Sequence, residues 1–252
     1  MERGRFTNRV ALITGGSRGI GRAAAAAFAA EGAGVVLVGR EGGNGEAAAA
    51  GIPGAVFIAS DVRKAGDCER AVQVTLDRHG RMDVLVNAAG IIHRNRTLEQ
   101  HTEAEWDETF DTNVKGAFLM SRSALPHLRV VRGTIVNVAS YVGLVGFAGA
   151  AAYAASKAAL VNLTRTIALD HAAEGVRANC VCPGSVDTDM IREAWRLTGA
   201  VDAAARAWAA KHPLGRIATA DEVANAILFL ASADAAFITG VALPVDGGIT
   251  AG

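Results

Sequence analysis

Short apolar runs alternate with helical stretches along the whole chain of 252 residues, and this alternation limits the folds that it can adopt. Near-continuous apolar runs are typical of parallel strands whose two faces are both covered by helices. Because parallel strands need crossover connections, the alternation predicts right-handed crossovers and a doubly wound sheet. We predict one α/β domain over residues 1–252, with a mostly parallel seven-stranded sheet and helices on both faces. The predicted strands are Val10–Ile13, Val35–Val38, Val56–Ile58, Val84–Val86, Ile135–Val138, Ala178–Val181 and Ala242–Val245.

The segments between these runs have the composition of helices. In two places a threonine precedes a glutamate by three positions, Thr102 before Glu105 and Thr219 before Glu222, which is the pattern of a capping box. The alanine-rich stretch Glu46–Ala50 predicts a short helix rather than a linker. The longer predicted helices are Ile20–Ala30, Ala65–Arg78, Glu103–Leu128, Tyr153–Ala173 and Asp221–Leu230.

The stretch Met190–His212 interrupts the alternation before the last helix and strand. Trp195 and Trp208 each follow an apolar residue by four positions, which predicts two short amphipathic helices. Ligands of doubly wound folds bind beyond the carboxyl ends of the strands, and this insertion follows such an end. Residues 190–212 are therefore a candidate substrate lid, and ordinary packing or a subunit contact is the alternative.

The charge balance argues against a polyanionic partner. Lysine plus arginine and aspartate plus glutamate are equal, at 25 each, so no global field favours nucleic acid, an anionic membrane or an acidic protein. We expect a small-molecule substrate, no nucleic acid, no membrane and no bound metal.

Three further features predict a cytoplasmic protein. The amino terminus lacks the apolar segment of a signal peptide. The uncharged stretch Thr134–Ser156 is long enough to span a membrane, but its Gly, Ala, Asn and Ser content predicts a strand, a loop and a helix start instead. The cysteines, which are Cys68, Cys180 and Cys182, are expected to be reduced core thiols.

A glycine-rich turn follows the first predicted strand and precedes a helix. Its sequence is Thr14-Gly-Gly-Ser-Arg-Gly-Ile-Gly21. Glycines at 15, 19 and 21 allow a tight turn and close approach of the backbone to a pyrophosphate, which the helix amino terminus attracts. The turn therefore predicts a dinucleotide site, although its spacing differs from the usual G-x-G-x-x-G.

Tyr153 and Lys157 are four residues apart, so on a helix they share one face. A nearby ammonium lowers the pKa of a phenol and makes it a better acid or base near neutrality. Such pairs are common on solvated helices. Ser140, however, lies just past a predicted strand, where its hydroxyl can hold a substrate oxygen beside the phenol.

With these residues the chain resembles the short-chain dehydrogenase/reductases of about 250 residues, a family with a Rossmann fold. The resemblance covers nearly the whole chain and is carried by motifs in the family's order. These motifs are Thr14–Gly21, Asp61-Val62, Asn87-Ala88-Ala89-Gly90, Asn113, Ser140 with Tyr153 and Lys157, Pro183–Thr188, and Val245-Asp246-Gly247-Gly248.

The resemblance implies an oxidoreductase that interconverts a secondary alcohol and a ketone by hydride transfer to or from a nicotinamide. It makes Tyr153 the general acid/base, and it makes Lys157 a ligand of the nicotinamide ribose. Ser140 positions the substrate oxygen, and Asn113 holds open a helix and seats a water in a proton relay. The implied cofactor-binding residues are Gly15, Ser17, Arg18, Gly19, Ile20, Gly21, Arg40, Asp61, Val62, Asn87, Ala88, Gly90, Tyr153, Lys157, Pro183, Gly184, Val186 and Thr188.

The residues after the second predicted strand favour NADP, with NAD as the alternative. NAD-preferring relatives usually carry an acidic residue where this chain has Gly39. Arg40 is placed to pair with a 2′-phosphate, and Arg18 to assist it. Glu41 and the short segment before Asp61 argue in the other direction.

The substrate is open between several alternatives. His93, Arg94 and Arg96 follow the Asn87–Gly90 motif. This segment is similar in sequence to that of relatives that act on sugar acids and polyols, where an arginine binds a carboxylate. The alternative is that these residues are exposed loop charges. A second alternative is reduction of 3-oxoacyl groups on an acyl carrier protein, with Arg129 and Arg132 as half of a basic docking patch. The third alternative is a dinucleotide-binding sensor without turnover. The presence of both Tyr153 and Lys157 disfavours it. Family resemblance also implies a homotetramer.

Overall fold

The computed structural model describes residues 4–40 and 42–252. Within them, seven parallel strands form one sheet in the order β3-β2-β1-β4-β5-β6-β7, with helices on both faces. The predicted fold class is confirmed, and every predicted strand is present. The strands are β1 Val10–Thr14, β2 Gly34–Gly39, β3 Val56–Ala59, β4 Val84–Asn87, β5 Thr134–Val138, β6 Arg177–Pro183 and β7 Ala242–Val245.

The strand order places a crevice above β1 and β4. The chain moves outward from β1 through β2 to β3 and then returns to the other side of β1, where β4 pairs with it in parallel. Thr14 and Asn87 are register partners at the carboxyl ends of these two strands. In doubly wound sheets this reversal point is where ligands bind.

Helices cover both faces of the sheet and meet at two apolar clusters. On one face, α1 and α9 bury side chains such as Phe28 and Ile227; on the other, α3 and α5 bury Val72 and Met120. The helices are α1 Gly19–Ala30, α2 Gly42–Ala50, α3 Ala65–His79, α4 Glu103–Phe110, α5 Gly116–Val131, α6 Ala151–His171, α7 Asp189–Arg196, α8 Val201–Ala209 and α9 Ala220–Ala231.

Both predicted capping boxes are present. Thr102 and Glu105 exchange side-chain and backbone hydrogen bonds at the start of α4, and Thr219 and Glu222 do so at the start of α9. The predicted insertion forms α7 and α8, which are two short helices as expected.

The predicted helix Glu103–Leu128 is present, but it contains a distortion that was not predicted. Residues Asp111–Lys115 form a π-helical turn that separates α4 from α5. Such turns widen a helix locally and are frequent at functional sites. The turn carries Asn113, whose side chain bonds to backbone atoms of another segment, and periodicity does not reveal a distortion of this kind.

Within the described residues, no helix is both long and apolar enough to cross a membrane.

Candidate active site

The glycine-rich turn between β1 and α1 leaves no room for side chains. Gly15 has a φ of +65°, and a Cβ there would lie 2.8 Å from the Ala89 nitrogen. A Cβ on Gly21 would lie 2.3 Å from the Gly15 carbonyl oxygen. Backbone therefore packs against backbone at the amino terminus of α1, where free amides and the helix dipole favour an anion.

A cavity of about 760 Å³ opens above this turn, at the carboxyl edge of the sheet. Its volume lies in the range of small-molecule and cofactor sites. Its walls come from the turns after β1, β2, β3 and β4 and from α7. The predicted cofactor residues that line it are Gly15, Ser17, Arg18, Gly19, Ile20, Gly21, Arg40, Asp61, Val62, Ala88, Gly90 and Thr188. A glycine cradle at a helix start and a cavity of this size fit a dinucleotide.

Arg40 and Asp61 lie at the β2–β3 end of this cavity. Arg40 is exposed, and its charge lowers the pKa of Asp61, although the hydrogen bonds from Arg63 have the larger effect. Arg63 holds the Asp61 carboxylate with two side-chain nitrogens, at 3.0 and 2.6 Å. The Asp61 carboxylate is thus paired with Arg63, while Arg40 is an exposed residue of the cavity wall. Glu41 lies outside the described residues.

A smaller cavity of about 120 Å³ adjoins the first, and Ser140, Tyr153 and Lys157 all line it. Ser140 follows β5, and Tyr153 and Lys157 lie in the first two turns of α6. Ser140 and Lys157 are buried, and Tyr153 is partly buried. The Ser140 hydroxyl lies close enough to the Tyr153 phenol to lower its pKa, and the Lys157 Nζ donates to the Val138 carbonyl at 2.8 Å. Lys157 Nζ lies 5.5 Å from the centre of the Tyr153 ring.

The electrostatic balance at Tyr153 differs from the one that the Tyr–Lys spacing predicts. Burial raises the pKa of Tyr153, while the positive charge of Arg94 and the hydrogen bond with Ser140 act to lower it. Burial also lowers the pKa of Lys157 to about 8. Lys157 is therefore a weaker cation than a solvated lysine, and the side chain that opposes the desolvation of the phenol most strongly is Arg94.

Asn113 ties the π turn to the segment after β4 and to α6. Its Oδ1 accepts from the Ile91 backbone nitrogen at 2.9 Å, and its Nδ2 donates to the Ile91 oxygen and to Ser156 Oγ, both at 3.0 Å. Asn113 is buried and lines neither cavity. Ile91 is adjacent to Gly90 in the chain, and Ser156 is adjacent to Lys157. The Asn113 amide therefore fixes the separation between Gly90 and Lys157.

The segment after β6 forms the third wall of the smaller cavity, through Pro183, Gly184, Val186 and Thr188. The Ser185 backbone nitrogen donates to Nε2 of the buried His212 at 3.0 Å. The other ring nitrogen of His212 lies 3.0 Å from the Trp208 carbonyl oxygen. Because a neutral imidazole has one donor and one acceptor nitrogen, this pairing requires a proton on Nδ1.

Two residues near the β4 carboxyl end differ from expectation. Asn87 lines neither cavity: it is buried, and its amide donates to Ser121 Oγ and to Asn137 Oδ1. It braces β4 against its neighbours rather than facing a cofactor. Thr14, in contrast, accepts hydrogen bonds from the Ala88 and Ala89 backbone nitrogens, at 3.1 and 3.2 Å. Nothing in the sequence indicated this contact, since a threonine at a strand end has many roles. The sequence did not indicate the contacts of His212 either, since a single histidine also has many roles.

The proposed docking patch at Arg129 and Arg132 lies on the wrong side of the molecule. Both residues are at the end of α5, next to the start of β5, whereas Ser140 follows the far end of that strand. At about 3.3 Å per residue, the strand separates them from the site by roughly 15 Å. Arg129 is also paired with Glu174, with Nε 2.6 Å from the carboxylate. The patch therefore does not border the active-site mouth.

The three basic residues after β4 separate into two groups. His93 Nε2 lies 3.2 Å from a Glu108 oxygen, and Arg96 Nε lies 2.9 Å from a Glu105 oxygen. Both are surface pairs of the kind that contributes little. Arg94 instead turns inward and lines both cavities.

Comparisons with known proteins agree with this geometry. The family model described as enoyl-(acyl carrier protein) reductase matches residues 15–250. The chain is 43% identical to 2-(S)-hydroxypropyl-CoM dehydrogenase 3 of Xanthobacter autotrophicus, covering 98% of both proteins. It is 37% identical to L-fucose dehydrogenase of Bos taurus, over 98% of this chain and 92% of the relative.

Among solved structures, the 3-ketoacyl-(acyl-carrier-protein) reductase of Brucella melitensis complexed with NADH superposes with a TM-score of 0.89 and 34% identity. The superposition covers 97% of this chain and 99% of that structure. Sequence motifs, sheet order and relatives thus give one answer, and the chain belongs to the short-chain dehydrogenase/reductase family.

Proposed function

We propose that the protein oxidises a secondary alcohol of a polyol, sugar or sugar acid, or reduces the matching ketone, with Tyr153 as the general acid/base. The chain is an NAD(P)-dependent oxidoreductase acting on CH–OH groups, as its relatives are. The observation that supports the assignment of residues is the convergence of Ser140, Tyr153 and Lys157 on one small cavity that adjoins the dinucleotide-sized one.

Each side chain has a role that its position supports. A bound nicotinamide supplies the acceptor or donor of a hydride. Ser140, which lines the same cavity as Tyr153, holds the substrate oxygen beside the phenol. Tyr153 takes the hydroxyl proton during oxidation and returns it during reduction. Lys157 offers its remaining donors to the ribose hydroxyls, since its bond to Val138 uses one of three. Asn113 is a positioning residue that holds this arrangement between β4 and α6.

We propose NADP as the preferred cofactor, with NAD as the alternative. Arg40 is exposed at the β2–β3 end of the larger cavity, and the position before it is Gly39 rather than an acidic residue that would bond the ribose hydroxyls. A guanidinium binds a phosphate in two-point fashion, which an uncharged ribose hydroxyl does not match. Arg18 lines the same cavity and adds a second positive charge.

Replacing Arg40 with aspartate is expected to lower the NADP-to-NAD ratio of kcat/KM by about 10- to 100-fold, because a charge-assisted bond is lost and repulsion replaces it. Steady-state kinetics with both cofactors measure the ratio. Arg40→Gln, which removes the charge without reversing it, should give an intermediate ratio. An unchanged ratio in both variants would contradict the proposal.

A panel of secondary alcohols, polyols, sugar acids and β-ketoacyl thioesters, followed by nicotinamide absorbance with both cofactors, tests the proposed substrate class. We expect the highest kcat/KM for a polyhydroxylated substrate or its keto form. The cavity walls from Tyr141 to Phe147 are largely apolar, while Ser140 and Arg94 supply the polar contacts. Higher activity on an acyl thioester would instead support the 3-oxoacyl reductase alternative, which the similarity to the Brucella melitensis reductase keeps open.

The 3-oxoacyl reductase and the dinucleotide-binding sensor have less support. Arg129 is paired to Glu174 on the opposite edge of the sheet, so the docking patch predicted for a carrier protein does not lie beside the site. A dinucleotide-binding sensor without turnover does not need Tyr153 and Lys157 in one cavity with Ser140.

We further propose that residues 1–252 form a single domain and that residues 190–212 act as a substrate lid. Met190, Ile191 and Trp208 line the smaller cavity, so α7 and α8 form its outer wall. A homotetramer is proposed from family resemblance, and exposed apolar side chains such as Phe118 on α5 and Leu169 on α6 support a subunit interface there. A cytoplasmic location is compatible with the three buried free thiols.

A further inference from the structure

The smaller cavity contains a positive charge that the reaction mechanism does not use. Two of its lining residues are charged, Arg94 and Lys157, and no aspartate or glutamate is among the described residues that line it. Lys157 is bonded to the Val138 carbonyl and has a role beside Tyr153. The acidic residues of α7, Asp189 and Glu193, line the larger cavity instead. Arg94 borders both cavities, and in the smaller one no carboxylate of the described residues balances its charge.

The surroundings of Arg94 leave its polar atoms free for a ligand. Its Nε is buried without a hydrogen-bond partner, and no carboxylate of the described residues lies within ion-pair distance of its guanidinium. Its neighbours His93 and Arg96, by contrast, are paired with Glu108 and Glu105. A guanidinium stays protonated, so a partly buried one without an anion carries an unfavourable desolvation cost. Burial accordingly lowers the pKa of Arg94.

The contact that holds Arg94 in place comes from the lid. Its guanidinium carbon lies 5.3 Å from the centre of the Trp208 ring, on α8, which is cation–π distance. Lys211 lies 5.2 Å from the same ring and adds a second positive charge at the rim. The ring constrains the orientation of the side chain, and Nε remains without a hydrogen-bond partner. Arg94 is also close enough to Tyr153 and Tyr141 for its positive charge to favour their ionised forms, which opposes the rise that burial causes in the pKa of both phenols.

We propose that Arg94 binds a carboxylate of the substrate, so that the physiological substrates are hydroxy acids and their keto acids rather than neutral polyols. This inference rests on the proposed function and narrows its substrate class. In oxidation the C–H bond gives its hydride to the nicotinamide, the O–H proton passes to the Tyr153 phenolate, and the C=O double bond forms. The carboxylate is unchanged in this step. It orients the substrate through the two-point geometry that guanidinium and carboxylate share.

The test compares sugar acids with polyols in which the carboxylate is replaced by a hydroxymethyl group. The measured quantity is the acid-to-polyol ratio of kcat/KM, which cancels any effect of Arg94 on proton transfer by Tyr153. We expect Arg94→Met to lower this ratio by about 10- to 100-fold, as loss of a charged hydrogen bond does. Arg94→Lys should restore part of it. Arg96→Met, a matched loss of charge two residues away, should leave the ratio unchanged.

A binding measurement separates failure of this inference from failure of the proposed function. In a Tyr153→Phe background loaded with oxidised cofactor, calorimetric titration with the sugar acids gives their Kd without turnover. We expect Arg94→Met to raise that Kd while the Kd of the cofactor stays constant. An unchanged acid Kd and an unchanged kinetic ratio would overturn the inference, and so would a change confined to the cofactor Kd. If the unmutated protein oxidises no secondary alcohol, the proposed function fails, and the Kd comparison still decides the role of Arg94.

Discussion

Replacing Tyr153 with phenylalanine is expected to reduce kcat by about 100- to 10,000-fold, the range for loss of a general acid/base. The variant removes one oxygen and keeps the ring that lines the cavity, so the Kd of the cofactor should stay close to that of the unmutated protein. Stopped assays for kcat and fluorescence titration for the Kd measure the two effects separately.

The chain supplies a matched control for this experiment. Tyr141 is its other tyrosine and lines the same cavity, with its ring centre 6.1 Å from that of Phe147. Tyr141→Phe also removes one phenolic oxygen, but from a residue to which the mechanism assigns no part in proton transfer. We expect it to change kcat by much less. Equal losses in the two variants would show that general disturbance of the cavity, and not proton transfer by Tyr153, explains the result.

Replacing Gly21 with alanine is expected to raise the Kd of the nicotinamide cofactor by at least about 10-fold, the equivalent of 1.4 kcal/mol. The new Cβ would lie 2.3 Å from the Gly15 carbonyl oxygen and 3.2 Å from the Gly16 Cα, so the turn has to shift. The amides that approach the phosphates shift with it.

Gly66→Ala is the control for that substitution. Gly66 lies in the first turn of α3, and a Cβ there meets no atom within 4 Å. Alanine costs less than glycine in a helix, so the free energy of unfolding should rise by up to about 1 kcal/mol, with cofactor binding unchanged. Thermal unfolding and fluorescence titration measure both. A Gly21→Ala variant that binds cofactor as tightly as Gly66→Ala would contradict the proposed phosphate site.

The parts of the fold that depend on local sequence could be predicted. The central strands β1, β4 and β5 are buried on both faces, so their apolar runs are continuous. The edge strand β7 is only partly buried, and it still has the same bounds, Ala242–Val245, in sequence and structure. The capping boxes at Thr102 and Thr219 are local hydrogen-bond patterns, and both were visible in the sequence. Gly15 and Gly21 were identified because close backbone approach leaves glycine as the residue that fits.

What could not be predicted depends on contacts between distant segments. The π turn at Asn113 follows from bonds to Ile91, 22 residues earlier, which no helical pattern records. The balance of charges at Tyr153 depends on Arg94, a loop residue whose direction is set by Trp208. The wrong placement of Arg129 near the site has a different cause. Topology alone excludes it, because the end of a crossover helix lies at the edge of the sheet opposite the ligand.

The contacts of Asn113 and His212 divide the site into two parts with different freedom. A single buried amide joins the segment after β4 to α6, so the wall that carries Tyr153 and Lys157 is braced against the wall that carries Gly90. The outer wall, α7 and α8, is joined to the segment after β6 at Ser185 through one imidazole. Changes in α7 and α8 therefore leave the bracing of the proton-transfer residues intact. Relatives in this family are named as dehydrogenases of L-fucose and of hydroxypropyl-CoM, and this separation allows substitutions in α7 and α8 to change substrate contacts while Tyr153 and Lys157 stay braced. Trp208 is the exception, because its ring positions Arg94 beside Tyr153.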